Sequence, residues 1–307
     1  MPRPLDPARL DTVHLVPPTP FTADGRRVVP EVLGAFVRAM AGAGVRVFVP
    51  AAGTGEFHSL SAAEAVACVR ATREASGPGC VVIAPVGLGL GHAVEVARDA
   101  AEAGADALLV MPPVHPYLCD AGFRDYFRAI ADATPLPLLT YKRGPVPSDR
   151  LLLELAGEGR LAGVKYAVND VDAFAQLAAA AGGRLGLYCG TAERFAPFFM
   201  LAGATGYTSG AGCLAPRLTL ALHAALRAGD YAAGMRLVRA IRPVEDARAR
   251  DGDSYNISLV KCGLEAAGHP FGPPRPPQRQ LTADEKADFL LRLRPVLAAE
   301  AALEPGA

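Results

Sequence analysis

The sequence carries no net charge: 31 Lys and Arg side chains balance 31 Asp and Glu. No basic run interrupts that balance, which argues against nucleic acid as the principal partner. No apolar run reaches the length that spans a bilayer. The opening residues, Met1-Pro2-Arg3-Pro4-Leu5-Asp6-Pro7, lack the apolar core of a signal peptide. The six cysteines, Cys68, Cys80, Cys119, Cys189, Cys213 and Cys262, form no C-x-x-C pair and meet no histidine cluster. That spacing argues against a disulfide framework or a zinc site, and predicts reduced, mostly buried thiols in a cytoplasmic protein. Lysine is scarce beside alanine, arginine, glycine and proline, a bias that fits a GC-rich coding sequence better than a function.

What is present is ample apolar material, 51% of 307 residues, enough for one sizeable core. Short apolar runs alternate with stretches of helical spacing. Strand-like Val13–Val16 is followed by a helix over 30–43, and strand Val45–Pro50 by a helix from Ser61, where Glu64 completes a capping box. Five further pairs follow: Val81–Val86 with Ala93–Ala103, Ala107–Met111 with Ala121–Ala133, Leu136–Tyr141 with Asp149–Ala156, Leu161–Lys165 with Asp170–Ala181, and Leu185–Cys189 with Glu193–Ala202. Thr205–Ser209 with Ala215–Ala228 makes the eighth. Eight strand–helix units with short, mainly apolar strands predict an α/β fold, a closed (β/α)8 TIM barrel over residues 10–228. Residues 229–302 read as a C-terminal helical extension packed on the barrel, with helices Tyr231–Ile241, Tyr255–Ala267 and Ala283–Ala299. The proline-rich arm Pro270–Pro277 separates the last two, and Leu303–Ala307 reads as a frayed tail.

In such a barrel functional residues gather where strands end. Those positions hold Gly53-Thr54-Gly55-Glu56, Tyr141-Lys142-Arg143, Lys165, Gly190-Thr191-Ala192-Glu193 and Thr208-Ser209-Gly210. Lys165 closes an apolar strand, where burying an unpaired ammonium is costly. Either its stem snorkels to solvent, or its pKa falls and it becomes an amine nucleophile for a carbonyl. Gly53, Thr54 and Gly55 precede a helix and can bring backbone N–H groups to a carboxylate or phosphate, or form an ordinary tight loop. Tyr141 can relay a proton or sit in the core, and Arg143 can grip a carboxylate or lie solvated. Gly87-Leu88-Gly89-Leu90-Gly91 has the wrong spacing for a dinucleotide loop, and no acidic residue ends the next strand.

The set Gly53-Thr54-Gly55-Glu56-Phe57, Tyr141, Gly163-Val164-Lys165 and Gly206-Tyr207-Thr208-Ser209 resembles the dihydrodipicolinate synthase and N-acetylneuraminate lyase superfamily. The resemblance runs from Pro17-Pro18-Thr19-Pro20-Phe21 to the C-terminal helices. Three features are similar to the 5-dehydro-4-deoxyglucarate dehydratase branch: the G-T-G-E-F loop, Arg143 two residues after Tyr141, and the arm Gly272-Pro273-Pro274-Arg275-Pro276-Pro277. The resemblance implies a cytoplasmic Schiff-base lyase, a homo-oligomer (dimer or tetramer), acting on a small-molecule 2-oxo acid without metal or organic cofactor. Lys165 would attack the C2 ketone and Tyr141 would move protons. Gly53, Thr54 and Gly55 would hold the C1 carboxylate, and Thr208 and Ser209 would border the pyruvyl end. Gly190, Thr191 and Arg143 would meet the distal hydroxyls and carboxylate. In the dehydratase branch the product is 2,5-dioxopentanoate, with CO2 and water.

Four positions depart from the family pattern. The run Pro112-Pro113-Val114-His115-Pro116-Tyr117 displaces or lacks the aromatic that often assists proton relay. Gly53 stands where the synthases carry a relay threonine, which argues against true dihydrodipicolinate synthesis. Lys142 replaces a common asparagine and Asn169 a usual glycine, so another 2-oxo sugar acid stays open as substrate. A pyruvate-dependent aldolase or synthase, and a paralogue that binds a 2-oxo acid without turning it over, are the alternatives.

Overall fold

The computed structural model describes residues 5–303; the features assigned to Met1–Pro4 and to a frayed Glu304–Ala307 lie outside the described residues. Eight parallel strands close in sequence order, with β8 pairing back to β1. They are β1 (Val13–Leu15), β2 (Val47–Phe48), β3 (Val81–Val86), β4 (Ala107–Val110), β5 (Leu138–Lys142), β6 (Leu161–Tyr166), β7 (Gly186–Cys189) and β8 (Gly206–Ser209). The helices that return between them are α1 (Pro30–Gly42), α2 (Ala62–Ser76), α3 (Leu90–Glu102), α4 (Asp120–Asp132), α5 (Asp149–Gly157), α6 (Val171–Ala181), α7 (Ala196–Leu201) and α8 (Pro216–Arg227). After the barrel come α9 (Tyr231–Arg248), the single turn α10 (Arg250–Asp253), α11 (Asn256–Ala266) and α12 (Ala283–Ala301). Among the described residues no helix is long and apolar enough to cross a membrane.

Strand alternation sorts the apolar residues into two shells. Leu15, Phe48, Val82, Leu108, Leu138 and Val164 face outward and pack under helix residues such as Phe36, Phe127 and Phe174. Val47, Val49, Val81, Ile83, Leu109 and Leu139 face inward and fill the barrel. On β6 and β7 the inward positions below the strand ends are Gly163 and Gly186. A Cβ at Gly186 would stand 2.3 Å from the Tyr188 hydroxyl, and one at Gly163 2.9 Å from its ring. The two glycines therefore make room for one buried tyrosine, and His14 of β1 stacks on it with ring centroids 4.5 Å apart.

Several boundaries differ from the sequence pattern, two of them for a plain physical reason. The helix expected to stop at Ile241 continues to Arg248 through Pro243. The lost hydrogen bond is outweighed by an apolar stripe, Val238, Ile241, Val244 and Ala247, all buried. The helix expected from Glu193 begins at Ala196, because Ala192 is left-handed (φ 62°) and Glu193 turns into the interior. A 3-10 turn over Pro7–Leu10, capped by Asp6, precedes β1, and its Leu10 carbonyl meets His14 Nε2 at 2.7 Å.

The proline-rich arm is no free linker. Phe271 accepts the Phe21 N–H at 2.9 Å, and Gly272 (φ 67°) lies so close that a Cβ would stand 2.3 Å from the Phe21 carbonyl oxygen. Arg275 and Lys261 both place their charges 4.2 Å from the Phe21 ring centroid. Arg275 also grips the Glu64 carboxylate with two nitrogens, at 2.7 and 2.8 Å. Its backbone N–H donates to Glu56 at 2.7 Å, while Lys261 Nζ lies 2.6 Å from the other Glu56 oxygen. The Glu56 side chain is fully buried, so burial pushes its pKa up and that of Lys261 down to about 8, against the mutual attraction of the pair. Lys261→Met is expected to lower unfolding free energy by about 3 kcal/mol, because it leaves a buried carboxylate without its cation. Urea denaturation checks this, and Glu56→Gln in the same chain should recover much of the loss.

Candidate active site

Lys165 and Tyr141 are direct neighbours in the β5–β6 register. Both point into the barrel mouth and are 7% and 9% exposed. Lys165 Nζ lies 4.0 Å from the centre of the Tyr141 ring. Neither the amine nor the phenol makes a hydrogen bond among the described residues. Burial brings the Lys165 pKa down from 10.5 to about 7, and the positive charges of Arg143 and Arg248 push the same way. Burial also raises the Tyr141 phenol, with Arg143 opposing and Asp253 reinforcing that shift. The snorkelling alternative for Lys165 does not describe this side chain. Beneath it His14 is held neutral, its pKa lowered to about 4 by burial.

The loop after β2 stands over the same opening. Its shape is fixed by Glu56 N–H donating to Gly53 O at 3.1 Å and Phe57 N–H to Ala52 O at 3.1 Å. Thr19 donates its hydroxyl to Gly55 O at 2.6 Å, which ties the Pro-Thr-Pro-Phe segment to the loop. Ala51 (φ 57°) and Glu56 (φ 63°) are left-handed without being glycine, a strain of roughly 1–2 kcal/mol each. Gly55 has no room for a Cβ, which would stand 2.7 Å from Ala51, whereas Gly53 faces open space. Among the described residues the N–H groups of Thr54 and Gly55 donate to no protein acceptor, so this cradle is free to receive an anion.

The other predicted residues divide. Thr208 sits beside His14 in the β8–β1 register and is nearly buried. Ser209, expected to border the pyruvyl end with it, turns its hydroxyl outward instead, donating to Glu193 and accepting the Gly212 N–H at 2.7 Å. Glu193 also accepts from Thr219 at 2.9 Å, and burial beside Glu245 pushes its pKa up to about 7. Gly190 donates its N–H to Tyr166 O at 2.6 Å, and a Cβ there would meet Ala167 at 2.8 Å, so close backbone packing already demands glycine. The Thr191 hydroxyl lies 3.5 Å from Cys189 Sγ. Arg143 is exposed, and its charge reaches Lys165, Tyr141 and His58. Lys142 points outward, buried, with Nζ 2.7 Å from Pro147 O and 3.3 Å from Asp149. Tyr117 is 85% exposed and packs against His115 alone among the aromatics, away from the Lys165 pair.

Two residues the sequence did not single out belong to this mouth. Arg248, buried at the end of α9, donates to Asn256 Oδ1 at 2.6 Å and presses on Gly210, where a Cβ would stand 2.2 Å from its guanidinium. Asp253, in the turn after α9, lies 3.7 Å from Arg143. Only the Asp251-Gly252 turn dipeptide hinted that the chain reverses there.

The dihydrodipicolinate synthetase family model matches residues 10–294. A probable 5-dehydro-4-deoxyglucarate dehydratase of Streptomyces coelicolor is 35% identical over 286 residues, 90% of each chain. The crystal structure of dihydrodipicolinate synthase from Oceanobacillus iheyensis superposes with a TM-score of 0.89 at 31% identity, covering 97% of this chain and 98% of that one. The synthase from Bacillus clausii gives the same TM-score at 35% identity, over 94% and 98%. A match over nearly the whole length, on the barrel and its C-terminal helices together, makes this chain an enzyme of the dihydrodipicolinate synthetase family.

Proposed function

We propose that the protein is a Schiff-base lyase that dehydrates and decarboxylates 5-dehydro-4-deoxyglucarate to 2,5-dioxopentanoate, CO2 and water. The observation that carries this reading is Lys165: a buried amine without a carboxylate partner, its pKa near 7, against the ring of Tyr141. The relatives named as probable dehydratases support the substrate.

Numbering from the ketone end, neutral Lys165 adds to C2 and the carbinolamine loses water to give a protonated imine. The C1 carboxylate lies on the free N–H groups of Thr54 and Gly55, with Gly53 leaving space and the Thr54 hydroxyl alongside. Loss of a C3 proton gives an enamine, whose electron pair expels the C4 hydroxyl as water. The conjugated iminium then accepts the pair released as the C6 carboxylate leaves C5 as CO2. Protonation at C3 restores the iminium, protonation at C4 with loss of the enol proton makes C5 an aldehyde, and water hydrolyses the imine to free Lys165. Tyr141 carries the protons at C2 and C3. Arg143 takes the far carboxylate, Thr191 and Gly190 the hydroxyl side, and Thr208 and the Ser209 backbone the pyruvyl end. The same reading makes the protein a homo-oligomer, for which the exposed Val114, Tyr117, Phe198 and Leu201 supply apolar contact surface.

A second reading, pyruvate-dependent aldol cleavage or condensation, is favoured by the synthase names of the two solved structures. One pair of assays separates them. CO2 release from 5-dehydro-4-deoxyglucarate supports dehydration, and pyruvate release from an acyl sugar acid supports cleavage. Borohydride with pyruvate should add covalent mass at Lys165, and an unmodified Lys165 beside a labelled control aldolase rejects both. Because only the neutral amine attacks, the trapping rate should fall about tenfold per pH unit below pH 7 and level off above it. Arg143→Gln removes a charge that disfavours the ammonium, so that acid limb should move to higher pH. Tyr141→Phe should keep part of the trapping but cut turnover by about 10²–10⁴-fold, the range for a positioned acid or base. Undiminished turnover would take Tyr141 out of the mechanism.

A further inference from the structure

Asp253 reaches the mouth of the pocket from the turn Arg250–Asp253, where Asp251, Gly252 and Asp253 are all left-handed, with φ of 47°, 64° and 66°. Its carboxylate lies 3.7 Å from Arg143 Nη2, beyond hydrogen-bond length, and the two side chains are 53% and 61% exposed. Among the described residues Arg143 makes no hydrogen bond at all. Arg124 and Arg275, by contrast, each hold a glutamate with two nitrogens. The Arg143 fork is thus positioned by charge alone, and all of its N–H donors stay uncommitted. Both charges bear on the Tyr141 phenol, in opposite directions.

We propose that Asp253 is a specificity-determining residue that stands at Arg143 in place of the substrate's distal carboxylate. This inference rests on the Schiff-base reading at Lys165 and narrows its substrate class. A 2-oxo acid ending in a second carboxylate must displace Asp253 from the guanidinium or bind against its charge. A 2-oxo acid ending in an apolar group meets a mouth already neutralised and makes no use of the pair. Removing the Asp253 charge therefore strengthens binding of the dicarboxylate selectively. The size of the effect is that of an exposed ion pair, about two- to fivefold. If Asp253 served instead as an acceptor for substrate hydroxyls, its loss would strengthen nothing.

The test compares 2-oxoadipate with 2-oxohexanoate, equal in chain length and different only in the terminal carboxylate. Each is titrated for borohydride trapping at Lys165 in the full-length protein, Asp253→Asn and Asp253→Ala. Asp253→Asn keeps the side-chain volume and tolerates the left-handed backbone. Both variants should halve the half-saturating 2-oxoadipate concentration or lower it further, and leave that of 2-oxohexanoate in place. At about 1 M salt, where screening extends to roughly 3 Å, the difference should vanish. A half-saturation for 2-oxoadipate that stays fixed or rises, or one that moves equally for both acids, overturns the role of Asp253. If pyruvate is trapped but 2-oxoadipate is trapped in none of the three proteins, the Asp253 proposal fails and the Schiff-base reading stands. If pyruvate is not trapped, both fail.

Discussion

The candidate site depends on how the fold treats buried lysine. The chain has four lysines, Lys142, Lys165, Lys261 and Lys286, and the first three are buried. Lys142 faces the outer shell and finds Asp149 and the Pro147 carbonyl. Lys261 finds Glu56 and the Pro273 carbonyl. These two are ordinary solutions to burying an ammonium, a carboxylate and a backbone oxygen within reach. Lys165 has neither. After desolvation the charges that bear on it most strongly are those of Arg143 and Arg248, and both oppose its proton. Similar burial thus has different outcomes: Lys142 and Lys261 each gain a carboxylate and a backbone oxygen, whereas Lys165 gains neither and its pKa falls to about 7.

Burial and Arg143 weigh most on that amine, and chain remote from it adds to them. Arg248 ends the first helix of the C-terminal extension, Asp253 follows in the next turn, and Lys261 and Arg275 fasten the loop after β2. The extension therefore shapes the pocket from two sides. Through Glu56 and Glu64 it fixes a strained loop whose free N–H groups face the opening. Through Arg248 and Asp253 it places one charge of each sign near the strand ends, and glycine at 210 is what lets the buried guanidinium come so close. Barrel and extension form one electrostatic unit.

The barrel was legible because its signals are local and repeated. Val81–Val86 is found where the apolar run put it, and the capping box of Ser61 and Glu64 forms as read. The pairing of Lys165 with Tyr141 at neighbouring strand ends was legible too, since strand polarity alone decides which end faces the loops. What the sequence hid was partnership across long separations. Glu56 reads as part of a binding loop and serves as the anchor of a distant arm. Ser209 reads as a residue of the pocket, yet strand alternation turns its hydroxyl to Glu193 while Thr208 takes the inner face. The helix through Pro243 was hidden for a different reason: a local breaker was overridden by a buried stripe that only tertiary packing reveals.

The energetics of Lys165 point to chemistry more firmly than the motif around it. With a folded pKa near 7 and an ordinary one of 10.5, the unfolded chain binds the proton more tightly at every pH between them. By linkage the native state is destabilised by about 4 kcal/mol at pH 7. The sign follows from the lowered pKa: the penalty is complete below pH 7 and fades as pH rises toward 10.5. Nothing in the packing requires that expense. Tyr188 and His14 already fill the barrel beneath, and Gly163 on the same strand already supplies the room for them. A methionine at 165 would occupy similar volume and bury without penalty. A neutral amine at the open end of a barrel is a poor structural element and a good nucleophile, and the fold by itself gives no reason to keep it.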